Sequence, residues 1–191
     1  MKLILASQSP RRKELLGLLG MPFTIQVPRA DETMDPDDDP AWQVAMVSQR
    51  KALATQAEAD DVVIAADTIV VCDGKILGKP RDREDAVRML QMLSGRNHQV
   101  MTGMTVAYNR QIHSYTEITE VYFRELSRSE ILRYVDSGEP MDKAGAYGIQ
   151  GGAALFAEKL IGDYYNVMGL PVCRLVQMLK EIVPELMEDG Q

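Results

Sequence analysis

Cysteine is scarce in this chain: 191 residues hold two, Cys72 and Cys173. They form no CxxC pair and lie far apart. A disulfide framework is therefore excluded, and a reduced compartment with no structural zinc is the simplest reading. Histidine is equally sparse. His98 and His113 are isolated, off metal-ligand spacing, and read as structural or surface residues. No apolar run approaches the roughly 20 residues of a membrane helix. Lys2 is followed by only a few apolar residues, too short for a secretory h-region. A net positive charge is also missing. The formal net charge is -7, which argues against stable nucleic-acid binding, since that needs a broad cationic surface. The expectation is a cytoplasmic protein without membrane contact, and a small cationic pocket stays compatible with it.

What is present is an ordinary globular composition, 46% hydrophobic and 26% charged, enough to bury a core. Strand-like and helical patterns alternate. Residues 2–6 read as a buried strand and 22–27 as another. Ser9 caps a helix with Pro10 in its first position, where the missing N–H costs nothing, and Leu15, Leu16 and Leu19 follow at helical spacing. The acidic, proline-broken stretch 28–40 reads as a loop and 41–58 as a helix. Residues 61–75 form a β-rich run ending in the hairpin signal Asp73-Gly74. Asp82 caps a helix over 83–93. Residues 98–108 and 114–125 are β-rich around a polar break at Asn109-Arg110, and Ser127 with Glu130 makes a capping box for a helix to about 137. A glycine-dense loop over 141–154, a strand over 155–161 and a last helix over 170–182 complete the pattern. The fold class is α/β with a mixed sheet, expected as one domain over 1–191 with a central cleft.

Two places carry chemistry. "LASQSPRR" sets Ser7, Ser9, Arg11 and Arg12 where the first strand gives way to a helix. A helix N-terminus presents unpaired N–H groups and a partial positive charge. Two hydroxyls and two guanidinium groups beside it add donors suited to phosphate oxygens. An ordinary cap with two solvated arginines is the competing reading. The second place is "VVIAADTIVV", where Asp67 interrupts residues that otherwise want burial. A buried, unpaired carboxylate is expensive, so Asp67 either faces a polar cleft or is satisfied by backbone and Thr68. At a cleft it would hold a divalent cation or deprotonate a water, with Glu32, and less so Asp31, supplying a further oxygen ligand. Lys51 lies in a helix, where a solvated lysine is the default. "GKILGKP" (74–80) is no Walker loop: three residues separate the glycines instead of four, and Pro80 replaces the Ser/Thr. Lys79 in it is either a point charge for phosphate or a solvated loop residue. Segment 141–152 sets Asp142, Lys143, Tyr147 and Gln150 among four glycines, which lets backbone approach a ligand.

Taken together, "LILASQSPRRKELL", "ADTIV", "LGKPRD", "LSGRNHQVMTG", "MDKAGAYGIQG" and "YYNVMGLP" resemble the Maf family of nucleoside triphosphate pyrophosphatases, in order and over nearly the whole chain. The resemblance implies a Maf-type fold related to inosine-triphosphate pyrophosphatases, with a mixed, elongated sheet flanked by helices and a central cleft between two lobes. It implies hydrolysis of a nucleoside triphosphate to monophosphate and pyrophosphate with a divalent cation, Mg²⁺ or Mn²⁺, and a homodimer. By the same resemblance, Asp67 is the catalytic proton acceptor and, with Glu32, the metal ligand. Ser7, Ser9, Arg11, Arg12, Lys51 and Lys79 bind phosphate. One branch of the family prefers dTTP and UTP, extending to modified pyrimidine nucleotides, and the other 7-methyl-GTP. Arg11, Thr68 and Gln150 resemble the first branch. The chemistry agrees, because a glutamine amide offers one donor and one acceptor to the carbonyl and N–H of a thymine or uracil edge. The alternatives are a 7-methyl-GTP pyrophosphatase and a nucleotide-sensing binding protein acting in arrest of septum formation.

Overall fold

The computed structural model describes residues 1–188; residues 189–191, the end of the expected 1–191 domain, lie outside the described residues. The chain runs β1 (Leu3–Ala6), α1 (Pro10–Gly17), β2 (Thr24–Gln26), α2 (Pro40–Leu53), β3 (Val62–Cys72), β4 (Lys75–Leu77), α3 (Arg83–Leu93), β5 (Asn97–Tyr108) and β6 (Gln111–Phe123). It continues with α4 (Arg128–Asp136), β7 (Ala157–Ile161), α5 (Tyr164–Met168), α6 (Val172–Ile182) and α7 (Pro184–Glu188). Six strands form one mixed sheet in the order β2-β1-β3-β5-β6-β7, with β4 paired on β3 as the seventh. None of the described helices is long and apolar enough to cross a membrane.

By contact density the described chain separates into two compact units. The first contains Met1–Asp67, Thr102–Glu117 and the chain from Gly169 onward; the second contains Thr68–Met101 and Ile118–Met168.

In the first unit β1 pairs in parallel with β2 on one side and β3 on the other. Both faces of β1 are covered, and all four of its residues are buried, which is why its sequence is an unbroken apolar run. The register sets Ala6 opposite Ala65. The chain thus leaves β1 at Ser7 on the same carboxyl end toward which β3 carries Asp67. Ser9 caps α1 and Pro10 opens it, as the sequence predicts.

Helix α2 is shorter than its sequence implies. The pattern predicts a helix over 41–58, but the helix ends at Leu53, with Ala54 as C-cap. Residues 56–60 are all exposed. Their Ala, Gln and Glu favour helix intrinsically, but they have no apolar face to bury, and the Gln56 and Ala59 carbonyls accept instead from Gln26 Nε2 at 2.9 Å and Asn109 N at 3.0 Å. The Thr55 hydroxyl ends the run by donating to the Lys51 carbonyl at 2.8 Å. The start of α2 is set by Asp39, whose carboxylate accepts from Trp42 N at 3.1 Å.

A second difference concerns Asn109-Arg110. Both residues have left-handed backbone, φ 49 and 61. The polar break is therefore a two-residue hairpin turn, and β6 begins at Gln111 instead of residue 114. Asn tolerates that conformation and Arg adopts it rarely, which hid the turn. Asp73 and Gly74, φ 51 and 71, make the expected hairpin between β3 and β4.

In the second unit Asp82 caps α3 and the Ser127–Glu130 capping box opens α4, both as predicted. The glycine-dense stretch is less irregular than expected, with three 3-10 turns at Glu139–Asp142, Ala144–Ala146 and Gly152–Leu155. The Glu139 carboxylate accepts from Gly152 N at 3.0 Å and from the Tyr134 hydroxyl at 2.9 Å. An edge-to-face cluster runs from His98, which touches Phe123 and Tyr147, through Phe123 to Phe156 and Tyr134. The five-residue helices α5 and α7 escape a periodicity argument, being too short to show a period.

Candidate functional site

The turn after β1 is organised by side-chain bonds within the first unit. Ser7, buried, accepts from Ser9 N at 3.2 Å and from Arg12 Nη1 at 3.3 Å. Ser9 Oγ accepts from Arg12 N at 3.4 Å, the cap that starts α1. Arg12 Nε donates to the Gly169 carbonyl at 2.8 Å, so a group 157 residues away fixes its guanidinium plane. Burial pushes the Arg12 guanidinium below its ordinary pKa. Asp67, and more weakly Glu32, pull it back up, while the neighbouring charge of Arg11 pushes it further down. Arg12 therefore feels both candidate carboxylates and its cationic neighbour.

Asp67 is not left unpaired among apolar residues. Lys51 Nζ donates to Asp67 Oδ1 at 2.6 Å and lies 3.0 Å from Glu32 Oε1. The Lys51 side chain is 12% exposed and that of Asp67 15%. This corrects the default reading of Lys51 as a solvated helix residue. Asp31 stands apart from the cluster: it accepts from Thr33 and pairs with Arg50 at 3.3 Å.

Lys51 is delivered by the way α2 meets β5. A Cβ on Gly103 would lie 2.3 Å from the Val44 carbonyl oxygen. Only a residue without a side chain lets the two backbones approach so closely. Beside that contact runs a buried hydroxyl chain: Ser48 to Ala45 O at 2.7 Å, Ser48 to Thr105 at 2.6 Å, and Thr105 to Ser114 at 2.8 Å. A carbonyl can only accept, and each hydroxyl has one proton. Ser48 must then donate to Ala45 O and accept from Thr105, and Thr105 must accept from Ser114. One turn further along α2, Ala52 packs with Ile4, Ala6, Val63 and Ala65 of β1 and β3. The three alanines among them leave room for the helix to lie close to the strands.

The sequence-predicted residues divide as follows. Ser7, Ser9 and Arg12 form one set of contacts and Lys51, Asp67 and Glu32 another; between them act the charges of Asp67 and Glu32 on Arg12, which Arg11 opposes. Thr68, Lys79 and Gln150 belong to the second unit. Thr68 is half-buried on β3, next in sequence to Asp67; Lys79 and Gln150 are exposed. The carbonyl of Gly78, beside Lys79, accepts from Gly145 N at 3.0 Å, so the Lys79 loop is tied to the glycine-rich segment that carries Gln150. Sequence reasoning missed Gly169, Gly103 and the Ser48 chain. A glycine inside the strand-like "QVMTGMTV" was the available signal for Gly103, whereas a serine on a helix carries none for Ser48.

No group of three or more His, Cys, Asp or Glu among the described residues is placed to hold a metal ion. The pair Asp67 and Glu32 nonetheless suits a hard divalent cation. Mg²⁺ is commonly held by one or two carboxylates with substrate phosphates and water completing its shell. Both carboxylates already converge on one cation, the Lys51 ammonium.

Comparison with known proteins points to one family. The family model described as Maf-like protein matches residues 2–182. A dTTP/UTP pyrophosphatase from Symbiobacterium thermophilum is 52% identical over 181 residues, covering 94% of this chain and 93% of that protein. Another so named, from Bacillus pumilus, is 50% identical over 180 residues, covering 94% and 95%. Among solved structures, a HAM1 protein from Coxiella burnetii superposes with a TM-score of 0.51 at 15% identity, covering 95% of this chain and 99% of that one. That likeness shows the fold.

Proposed function

The chain belongs to the Maf family, and from that premise and the geometry of its first unit we propose that it hydrolyses dTTP and UTP to the monophosphate and pyrophosphate. The observation that carries the reading is the cluster in which Lys51 joins Asp67 to Glu32 while Arg12 responds to both carboxylates. A carboxylate held beside a cationic cradle is what attack on a phosphoanhydride requires. The two relatives at about half identity over nearly the full chain carry the activity in their names.

The triphosphate lies against the turn of residues 7–12, with the serine hydroxyls, Arg11 and Arg12 as donors to its oxygens. Lys51, next to Asp67 before the nucleotide arrives, adds a further cationic donor to the phosphate oxygens. Asp67 orients a water and takes its proton as the water oxygen bonds to the α-phosphorus. The bond from that phosphorus to the bridging oxygen breaks, and the electron pair leaves with pyrophosphate. Most of the rate gain comes from positioning and charge neutralisation. A divalent cation held by Asp67 and Glu32 would neutralise phosphate charge. For Lys79 as a phosphate ligand, and for Thr68 and Gln150 as base-selecting residues, the reading is supported by their motifs.

The test is a nucleotide panel with Mg²⁺ and purified protein, with pyrophosphate and orthophosphate measured separately. Pyrophosphate from dTTP and UTP supports the proposal. Orthophosphate instead means a different bond is cut, selective turnover of 7-methyl-GTP assigns the other specificity, and no release with nucleotide still bound makes the protein a sensor.

A further inference from the structure

We propose that Lys51 holds the place of the divalent cation in the nucleotide-free protein, so that metal enters only together with the triphosphate. The inference rests on the reading of this cluster as the triphosphate site, and it adds the order in which the ligands arrive.

The Lys51 ammonium stands 2.6 Å from Asp67 Oδ1 and 3.0 Å from Glu32 Oε1. Those are the two oxygen donors that the divalent cation would use. The ammonium is held in place by its helix: Ala52 is buried against β1 and β3, and Ser48, one turn earlier, is fully buried against Thr105. The Lys51 side chain is only 12% exposed, so its ammonium rests on the carboxylates and not in solvent.

Charge balance leads to the same conclusion. Two carboxylates, Asp67 and Glu32, contact the Lys51 ammonium, and their charges also act on the Arg12 guanidinium. Bringing in a dication alone would place two further positive charges beside the Lys51 ammonium at the largely buried Asp67, where screening is weaker than at the exposed Glu32. A triphosphate reverses that balance. Its oxygens accept the Lys51 ammonium, which releases Asp67 and Glu32, and its negative charge compensates the entering metal. Lys51 thereby serves two successive partners, the carboxylates in the resting protein and phosphate in the loaded one.

The experiment titrates Mn²⁺ alone into the nucleotide-free protein, following free Mn²⁺ by electron paramagnetic resonance. Wild type is compared with Lys51→Met and with Lys51→Met/Asp67→Asn, each first checked by circular dichroism. Removing one cation in contact with both donors should tighten Mn²⁺ binding by about tenfold or more, and loss of Asp67 should erase the gain. Equal or weaker binding by Lys51→Met, or a gain that survives Asp67→Asn, overturns the proposal. Should Lys51→Met fail to fold, Lys51→Gln takes its place with the same expectation. Pyrophosphate release from dTTP by the wild type is measured in parallel and reports on the function alone. A protein that turns over dTTP without any gain in the Lys51 variants keeps its function and loses this inference; one that shows the gain without turnover does the reverse.

Discussion

Replacing Gly103 by alanine tests the account of how Lys51 reaches Asp67. The added Cβ would sit 2.3 Å from the Val44 carbonyl oxygen, 2.4 Å from its carbon and 2.6 Å from Ala45 N. All three are backbone atoms of α2, so no flexible side chain can move aside. Non-bonded heavy atoms settle at about 3.5 Å, so α2 must retreat by about 1 Å. Overpacking of this kind costs about 2–3 kcal/mol when neither wall yields, a fall in Tm of roughly 4–12 °C for a chain of this length. The retreat also strains the 2.6 Å contacts of Ser48 with Thr105 and of Lys51 with Asp67. A displacement of that size at catalytic groups lowers kcat by about 10²-fold. Calorimetry and pyrophosphate release from dTTP measure the two effects. Gly17→Ala is the control. Its Cβ would meet nothing within 4 Å, so its Tm should stay level or rise by the small amount a helical alanine gains. A Gly103→Ala protein with wild-type Tm and kcat would refute the close approach of α2 and the positioning built on it.

Asp67→Asn should still bind dTTP but lose about 10²–10⁴-fold in kcat, the range for removing a general base; near-normal turnover in a stopped-flow assay would end its proposed role. Gln150→Glu should weaken UTP hydrolysis more than 7-methyl-GTP hydrolysis, and equal losses in kcat/KM would show that Gln150 does not select the base. His98 is buried with its Nε2 2.7 Å from the Tyr147 hydroxyl, and burial pushes its pKa down to about 4. The unfolded chain, with a His pKa of about 6.5, binds more protons between those values. Stability from this group is therefore complete above about pH 6.5 and lost as pH falls toward 4, by roughly 3 kcal/mol. Urea unfolding at several pH values should show that slope in wild type and a flatter one in His98→Gln; identical slopes would show that His98 is not the titrating group.

Much of the local structure is decided by residues a few positions apart. Ser9-Pro10, Asp82, the Ser127–Glu130 pair and Asp73-Gly74 act through bonds to their immediate neighbours, so their elements form where the sequence places them. The phosphate-suited turn is legible for the same reason, since its hydroxyls and guanidinium groups are consecutive. Asp67 stood out because a carboxylate in an apolar strand must have a partner. Its partner was not legible. Lys51 is 16 residues away on a helix whose approach depends on Gly103, and Gly169, which fixes Arg12, is 157 residues from it. The end of α2 likewise depended on tertiary structure: propensity carries the helical pattern past Leu53, but residues 56–60 have no face to bury and the Gln56 and Ala59 carbonyls accept from the distant Gln26 and Asn109. Capping and turn formation are short-range and saturate within one hydrogen bond. The pairing of a buried charge depends on which backbones can touch, and the folded chain alone decides that.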